Sequence, residues 1–413
     1  MFQYPEAIDL VLTRLNQNFE AVLVGGFVRD TLLNIPNADF DLATSATPEE
    51  VKLCFPDYPI YDTGIQHGTL TLVIGHLSIE ITTYRIEDEY SDSRHPDQVR
   101  FTTSLKEDCR RRDFTINALC YHPEQGILDF FHGQQDLTTR TIRAIEDPMQ
   151  RFDEDALRIL RAIRFSSQLN FKIEIVTKTA LFLLKDKLHA VAIERCMKEF
   201  EKIIMGNHAA HLIEEYLPIF SVFIPELISL SEHPQYFQRT LDRLHRSPAI
   251  LTLRLASLFC DIGCVRHTEP SAMLSASAFI DIAARLKLQN SITAKVALLI
   301  QNSTINLEFT RPAIRKRLHQ WNMTFFEILN WMEVLGHDPD PLHQIKVLSQ
   351  EILANNECIS LKQLAINGSD CLKLGLKGAT ISHALQECLN QVMEEALPNQ
   401  TEILLNHIKT HFM

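Results

Sequence analysis

The run Leu23-Val24-Gly25-Gly26-Phe27-Val28-Arg29-Asp30, followed by Asn37-Ala38-Asp39-Phe40-Asp41, decides how this chain is read. An apolar stretch closes on two glycines, a polar segment of helix-compatible spacing begins, and two carboxylates separated by one residue come next. Residues i and i+2 of a strand point to the same side, so Asp39 and Asp41 aim their carboxylates together while Phe40 faces the core. Like charges held that close repel unless a divalent cation lies between them. Gly25 and Gly26 let backbone approach a triphosphate with no Cβ in the way, and N–H groups at a helix start attract anions. Arg29 adds a charge-assisted contact from the first turn, and Asp30 completes the candidate nucleotide-binding set of this stretch. Taken singly, a Gly-Gly turn is a tight turn and an Asp-x-Asp is a solvated strand face. In this order they specify a site for a phosphate and a metal.

On the N-terminal side, Ile8, Val11, Leu12, Leu15 and Phe19 recur at helical spacing and predict an amphipathic helix over residues 6–19. Downstream, Thr47-Pro48-Glu49-Glu50 reads as a helix start, with Thr47 as cap and Glu50 closing a capping box. Gly68 to Ile74 and Leu77 to Tyr84 read as a hairpin turning at Gly75-His76. Glu80 lies in its second strand and has two readings: a third carboxylate beside the metal pair, or a residue facing water on a one-sided sheet. From Arg85 to Val99 the sequence is charged and aperiodic, as in a mobile loop. Arg110-Arg111-Arg112-Asp113-Phe114-Thr115-Ile116-Asn117-Ala118 then sets three arginines against an apolar helix start, with Arg112 and Asp113 the candidate functional pair. Gly133 to Leu137 reads as a turn.

The second informative stretch is Asp153-Glu154-Asp155-Ala156-Leu157-Arg158-Ile159-Leu160-Arg161-Ala162-Ile163-Arg164-Phe165. Read as one helix entered from Asp147-Pro148, it repeats Asp155, Arg158, Arg161 and Arg164 every three positions. Each step lags by about 60° at 3.6 residues per turn, so one flat ligand is not expected to meet all four. Asp155 can accept from an exocyclic amine, which cytosine and adenine carry, while Arg158 donates beside it. The alternative is an ordinary salt-bridged helix face. Arg161 and Arg164 are expected to hold phosphate or brace a neighbouring helix.

Composition bounds the answer. A chain of 413 residues exceeds one typical core, and 46% hydrophobic with 22% charged residues is ordinary for a globular protein. The net charge of −12, from 40 Lys and Arg against 52 Asp and Glu, excludes a global basic field, so a polyanion must be held by local clusters. Nine scattered cysteines with no Cys-x-x-Cys pair read as reduced thiols. Cys260 and Cys264 alone lack the further ligands that zinc needs. Met1 to Glu6 shows no basic region followed by an apolar block, so no signal peptide and a cytoplasmic protein are expected. Beyond residue 170 the pattern is helical, including a charged helix through Ile193-Glu194-Arg195 to Lys202, a cap at Asn367-Gly368-Ser369-Asp370 and a turn from Gly375 to Gly378.

In their order, Gly25 to Asp30, Asp39-Phe40-Asp41, Arg111 to Ala118 and Glu154-Asp155-x-x-Arg158 resemble bacterial tRNA nucleotidyltransferases of the class shared with bacterial poly(A) polymerases. The resemblance spans about residues 22–165, with weaker similarity through Lys202 and at Leu364 to Asp370. It implies an α+β fold: a nucleotidyltransferase head (1–145), a helical neck with a nucleotide-selecting helix (146–215), a helical body (216–340) and a helical tail that binds tRNA (341–413). It implies addition of C, C and A to tRNA lacking all or part of its 3′ CCA, from CTP and ATP, without membrane or obligate protein partner. On that pattern Asp39 and Asp41 bind Mg²⁺ and Gly26 and Arg29 touch triphosphate. Arg112, Asp155, Arg158, Arg161 and Arg164 bind nucleotide, with Gly25, Asp30, Asp113 and Asn117 in the same motifs. The Arg85–Val99 loop looks like the one that relatives use for adding A. A departure lies in Leu258-Phe259-Cys260-Asp261-Ile262-Gly263, where Cys260 replaces the His of a metal phosphohydrolase pair and Arg239 stands near an earlier ligand position, so no phosphohydrolase activity is expected. An A-adding enzyme, a poly(A) polymerase and, from another class, an inactive RNA-binding module remain as alternatives.

Overall fold

The computed structural model describes residues 2–87, 99–266 and 271–413. The chain divides into two compact units, Met1–Ser231 and Glu232–Met413.

The first unit opens with α1 (Glu6–Leu15), whose Ile8, Val11, Leu12 and Leu15 are fully buried. It ends four residues short of Phe19 because the Asn16 side chain bonds Leu12 and both backbone groups of Ala21, turning the chain into a strand. That strand, β1 (Ala21–Val24), is buried throughout and leads into α2 (Gly26–Leu32). There follow β2 (Asp41–Thr44), α3 (Pro48–Cys54) with the expected capping box, β3 (Ile60–Gly64), β4 (Thr69–Ile74) and β5 (Leu77–Thr83). β6 (Arg85–Glu87) pairs with β7 (Val99–Phe101). The expected loop from Arg85 to Val99 otherwise lies outside the described residues.

α4 (Leu105–Arg110) begins at a Ser104 cap, so the three arginines close a helix where the sequence suggested that they open one. Cations in a last turn suit the negative end of the helix. Only a single 3₁₀ turn, Thr115–Asn117, follows before β8 (Cys120–His122) and β9 (Gly126–Leu128). The seven-stranded mixed sheet runs β3-β4-β5-β2-β1-β8-β9. Within it β2 and β5 are parallel, which sets Asp41 opposite Glu80, and the other pairs are antiparallel. The expected turn at Gly133 to Leu137 is a short helix, α5 (Gly133–Thr138), because Asp129 accepts from the N–H groups of Gly133 and Gln134 at its start.

Next come β10 (Thr141–Ile142), α6 (Pro148–Glu154), α7 (Leu157–Leu169), β11 (Lys172–Ile173), α8 (Ile175–Leu183), α9 (Ile193–Ile204) and α10 (Ala209–Glu215). The single helix expected over 153–165 is two helices, broken at Asp155, whose φ of −139° and ψ of 102° are extended. α7 packs on α9, and the chain leaving α9 approaches so closely that a Cβ on Gly206 would stand 1.9 Å from Ser167 Oγ.

Among its described residues the second unit is helical, from α11 (Pro234–Arg246) and α12 (Leu251–Phe259) to a last helix at Thr401–Phe412. Its C-terminal core gathers Ile366, Cys371, Leu389, Met393 and Leu404, and Asn367 and Asp370 form a capping box. The whole is the α+β arrangement expected, a mixed sheet followed by helices. Among the described residues no helix is long and apolar enough to cross a membrane.

Candidate functional site

A cleft of about 650 Å³ opens in the first unit, within the ordinary range for small-molecule sites. Eight arginines and four aspartates line it, in a chain whose net charge is −12. This is the local cluster that the overall charge required.

Its acidic wall is built by β1 and β2. The sheet ladder begins at Asp41, so Asp39 stands two residues before the strand, held by its N–H on Asn37 Oδ1 at 2.8 Å. The alternation still holds: Phe40 is buried with its ring centroid 4.8 Å from that of Phe27, while Asp39 and Asp41 both line the cleft. Gly25, at φ +70°, adopts a conformation that L side chains avoid. A Cβ there would lie 3.6 Å from Asp41 Oδ2 and 3.7 Å from Arg112 Nη1. Burial, then the charges of Asp39 and Glu80, push the Asp41 carboxyl up to about 6, with Arg112 opposing. Glu80 is exposed on the face that Asp41 shares, so it is both a neighbouring carboxylate and a solvent-facing residue. Among the described residues no three His, Cys, Asp or Glu side chains are gathered as a protein-only metal cage would need. Mg²⁺ takes one or two carboxylates and completes its shell with water and substrate phosphates, so the Asp39–Asp41 pair fits that ion.

The opposite wall is a chain of paired charges. Arg29 donates from Nε to Asp30 Oδ1 and from Nη1 to Asn117 Oδ1, each at 2.7 Å. Asn117 Nδ2 donates to Asp113 Oδ1 at 2.9 Å, and Arg161 Nη2 meets Asp113 Oδ2 at 2.6 Å. Burial would raise the Asp113 carboxyl, yet the Arg161 charge and these hydrogen bonds hold it at about 2. Asp30, whose other oxygen takes Asn37 Nδ2 at 2.8 Å, is buried and does not line the cleft. It positions Arg29 from behind the cleft wall. Arg112 and Asp113 both line the cleft, each with its own partner. Arg111 and Arg112 share the fully buried Asp108, at 2.8 and 3.1 Å, and Arg110 turns away to Glu107 and Glu146. Arg112 Nε is buried without an acceptor.

The third wall is the break between α6 and α7. Asp155 Oδ1 accepts the Leu157 N–H at 3.0 Å, and its Oδ2 lies 3.3 Å from Arg195 Nη2 on α9. Arg158 is buried, donating to Glu154 Oε2, Arg151 O and Arg111 O at 2.9, 3.1 and 2.8 Å. Arg164 braces α9 through Glu199 at 2.5 Å. Asp155, Arg158, Arg161 and Arg164 line one cleft. The reason is the break: Asp155 is freed from helical phase, and the three arginines span only about 120° of α7. Arg29, Arg161 and Arg164 crowd the Phe165 ring at 5.1, 5.5 and 4.0 Å from its centroid.

Asn37, His67, Arg85, Arg111, Phe165 and Arg195 also line the cleft and were not singled out from the sequence. Phe165 could have been, since it directly follows the arginine series. Arg195 carries no local signal, because its partner lies on another helix.

A glycine turn and two carboxylates facing a basic wall accommodate a nucleoside triphosphate and its metal, and on this sheet they define the nucleotidyltransferase class. Residues 21–143 match the family described as "Poly A polymerase head domain", and residues 170–229 match "Probable RNA and SrmB- binding site of polymerase A". A CCA-adding enzyme of Lactobacillus helveticus is 33% identical over 409 residues, covering 98% of this chain and 96% of its own. One of Leuconostoc mesenteroides is 49% identical over 205 residues, 49% of this chain and 51% of its own length. The crystal structure of the Bacillus stearothermophilus CCA-adding enzyme in complex with CTP superposes with a TM-score of 0.76 over 99% of this chain and 98% of that one, at 24% identity. The chain belongs to the CCA-adding enzyme family.

Proposed function

We propose that this chain adds C, C and A to the 3′ end of tRNA from CTP and ATP, without a nucleic-acid template, releasing pyrophosphate. The observation that carries the reading is that the carboxylate pair Asp39–Asp41 and the base-reading candidates Asp155 and Arg158 line the same cleft. The tRNA 3′-hydroxyl attacks the α-phosphate in line. Asp39 and Asp41 would hold Mg²⁺, which when bound would lower the pKa of that hydroxyl and neutralise charge on the phosphates. Glu80 keeps the carboxylate field strong at Asp41. Gly25 and Gly26 admit the triphosphate, and Arg29, Arg112, Arg161 and Arg164 face it with positive charge. Asp155, paired with Arg195, accepts from the exocyclic amine of C or A and offers no donor to the keto groups of U or G. In the second unit Arg239 and Arg243 occupy both oxygens of Asp261, at 2.5 and 2.6 Å, which supports the absence of phosphohydrolase chemistry there. Such an enzyme works in the cytoplasm, where tRNA and both nucleotides are present.

The test uses tRNA transcripts ending before CCA or after CC, with Mg²⁺ and labelled CTP or ATP, resolved to the nucleotide. Addition of CCA to the first and A to the second is expected. A alone on the second identifies an A-adding enzyme, long A tails a poly(A) polymerase, and no product an inactive RNA binder. Asp41→Ala should abolish incorporation while nucleotide still binds; retention of roughly a tenth of the wild-type turnover refutes the metal assignment.

A further inference from the structure

A second cleft in the first unit, of about 670 Å³, shares no residue with the catalytic one. Its charged lining is Arg140, Lys172 and Lys178 against one carboxylate, Glu215, with His208 and His211 beside them. Glu215 is already occupied: Lys178 bonds its Oε1, and His211 Nε2 stands 3.6 Å from its Oε2. That leaves Arg140 and Lys172, both exposed and with no side-chain partner among the described residues. The backbone holds these two cations side by side, since the Lys172 N–H donates to Arg140 O at 3.0 Å where β10 and β11 pair in parallel. Arg140 itself sits at φ +52°, and Asn170, at the other end of the bridge, at φ +54°. An L side chain enters that region at a cost, and arginine less readily than asparagine or glycine. The strained turn delivers an unneutralised guanidinium to the groove in a chain that is acidic overall.

We propose that this groove holds backbone phosphates of the RNA substrate, with Arg140 and Lys172 as the contacts and His208 as a ring N–H donor at its rim. The inference rests on the tRNA reading above and adds to it a docking site outside the catalytic cleft. Apart from Thr139, Arg140 and Ser166, the groove's lining lies inside residues 170–229, the segment that matches an RNA-binding family description. Two adjacent cations with no carboxylate left to answer them suit the regularly spaced oxyanions of a nucleic-acid strand.

The experiment compares the full chain with Arg140→Glu/Lys172→Glu and with Arg140→Lys/Lys172→Arg, measuring KM for tRNA lacking CCA, KM for CTP and kcat across a salt series. Charge reversal should raise the tRNA KM about tenfold or more and flatten its dependence on log salt by about 1–2 units, with CTP KM and kcat unchanged. The charge-conserving pair should behave as wild type. An unchanged tRNA KM and salt slope overturns the groove, and so does an equal rise in the CTP KM, which marks a merely structural role. Lys172→Ala alone, on a strand edge, gives the same reading in smaller measure should the double reversal fold poorly. If the wild-type chain adds no C or A to tRNA, the catalytic reading fails instead, and the two failures are told apart.

Discussion

At the scale of single residues the cleft is defined by what holds each charge. Burial and two neighbouring carboxylates oppose ionisation of Asp41 and push its carboxyl up to about 6. Its folded-state pKa is raised, so the stability it contributes is full below about pH 4 and is lost as pH rises through 6. A cation must displace that proton, so the Mg²⁺ needed for half-maximal incorporation should climb about tenfold per unit below pH 6 and level off above 7. Asp41→Asn should remove that dependence in a Mg²⁺-induced thermal shift; an unchanged profile would place the titrating group elsewhere. Asp155 and Arg158 separate in a second prediction. Asp155→Ala should cost about 1–3 kcal/mol of discrimination against UTP and GTP, with about 1 kcal/mol of stability from the lost cap of α7. Arg158→Ala, which takes a donor from Glu154 Oε2 and from two carbonyls, should lower the melting temperature further, read by calorimetry beside misincorporation. Adjacency in sequence exposed Asp39 and Asp41, because strand alternation states direction. It could not do so for Asp30, which follows Arg29 by about 100° around a helix and ends up behind it.

At the scale of elements, the strands and caps were legible because their signals are local: Thr47 with Glu50, the hairpin at Gly75, and Asn367 with Asp370. The break at Asp155 was not, since Asp-Ala in a run of helix formers carries no breaker. What holds the break there is in part tertiary: Arg195 on α9 meets one oxygen, while the other caps the start of α7 locally. The contact of α7 with α9 was equally hidden, and it depends on one missing side chain. Gly206→Ala would drive a methyl into Ser167 Oγ, which is already donating to Ile203 O at 2.8 Å. Such overpacking should cost about 1–3 kcal/mol in urea unfolding. Adding Ser167→Gly should recover part of it, so that the double variant loses less than the sum.

At the scale of the molecule, every residue lining the catalytic cleft falls between Gly25 and Arg195, inside the first unit. A fragment of residues 1–231 has its own core and should bind Mg·CTP within several-fold of the full chain by calorimetry; loss of binding would mean that the second unit completes the site. The distribution of charge has a further effect. Of 40 Lys and Arg and 52 Asp and Glu, eight arginines and four aspartates face the cleft, which leaves 32 cations against 48 carboxylates for the remaining chain. Most of the exterior therefore pushes polyanions away. Ribosomal and messenger RNA, which outnumber unfinished tRNA, would find few places to linger, and the protein's search among cellular RNAs would be spent mainly on molecules whose end can enter the basic cleft.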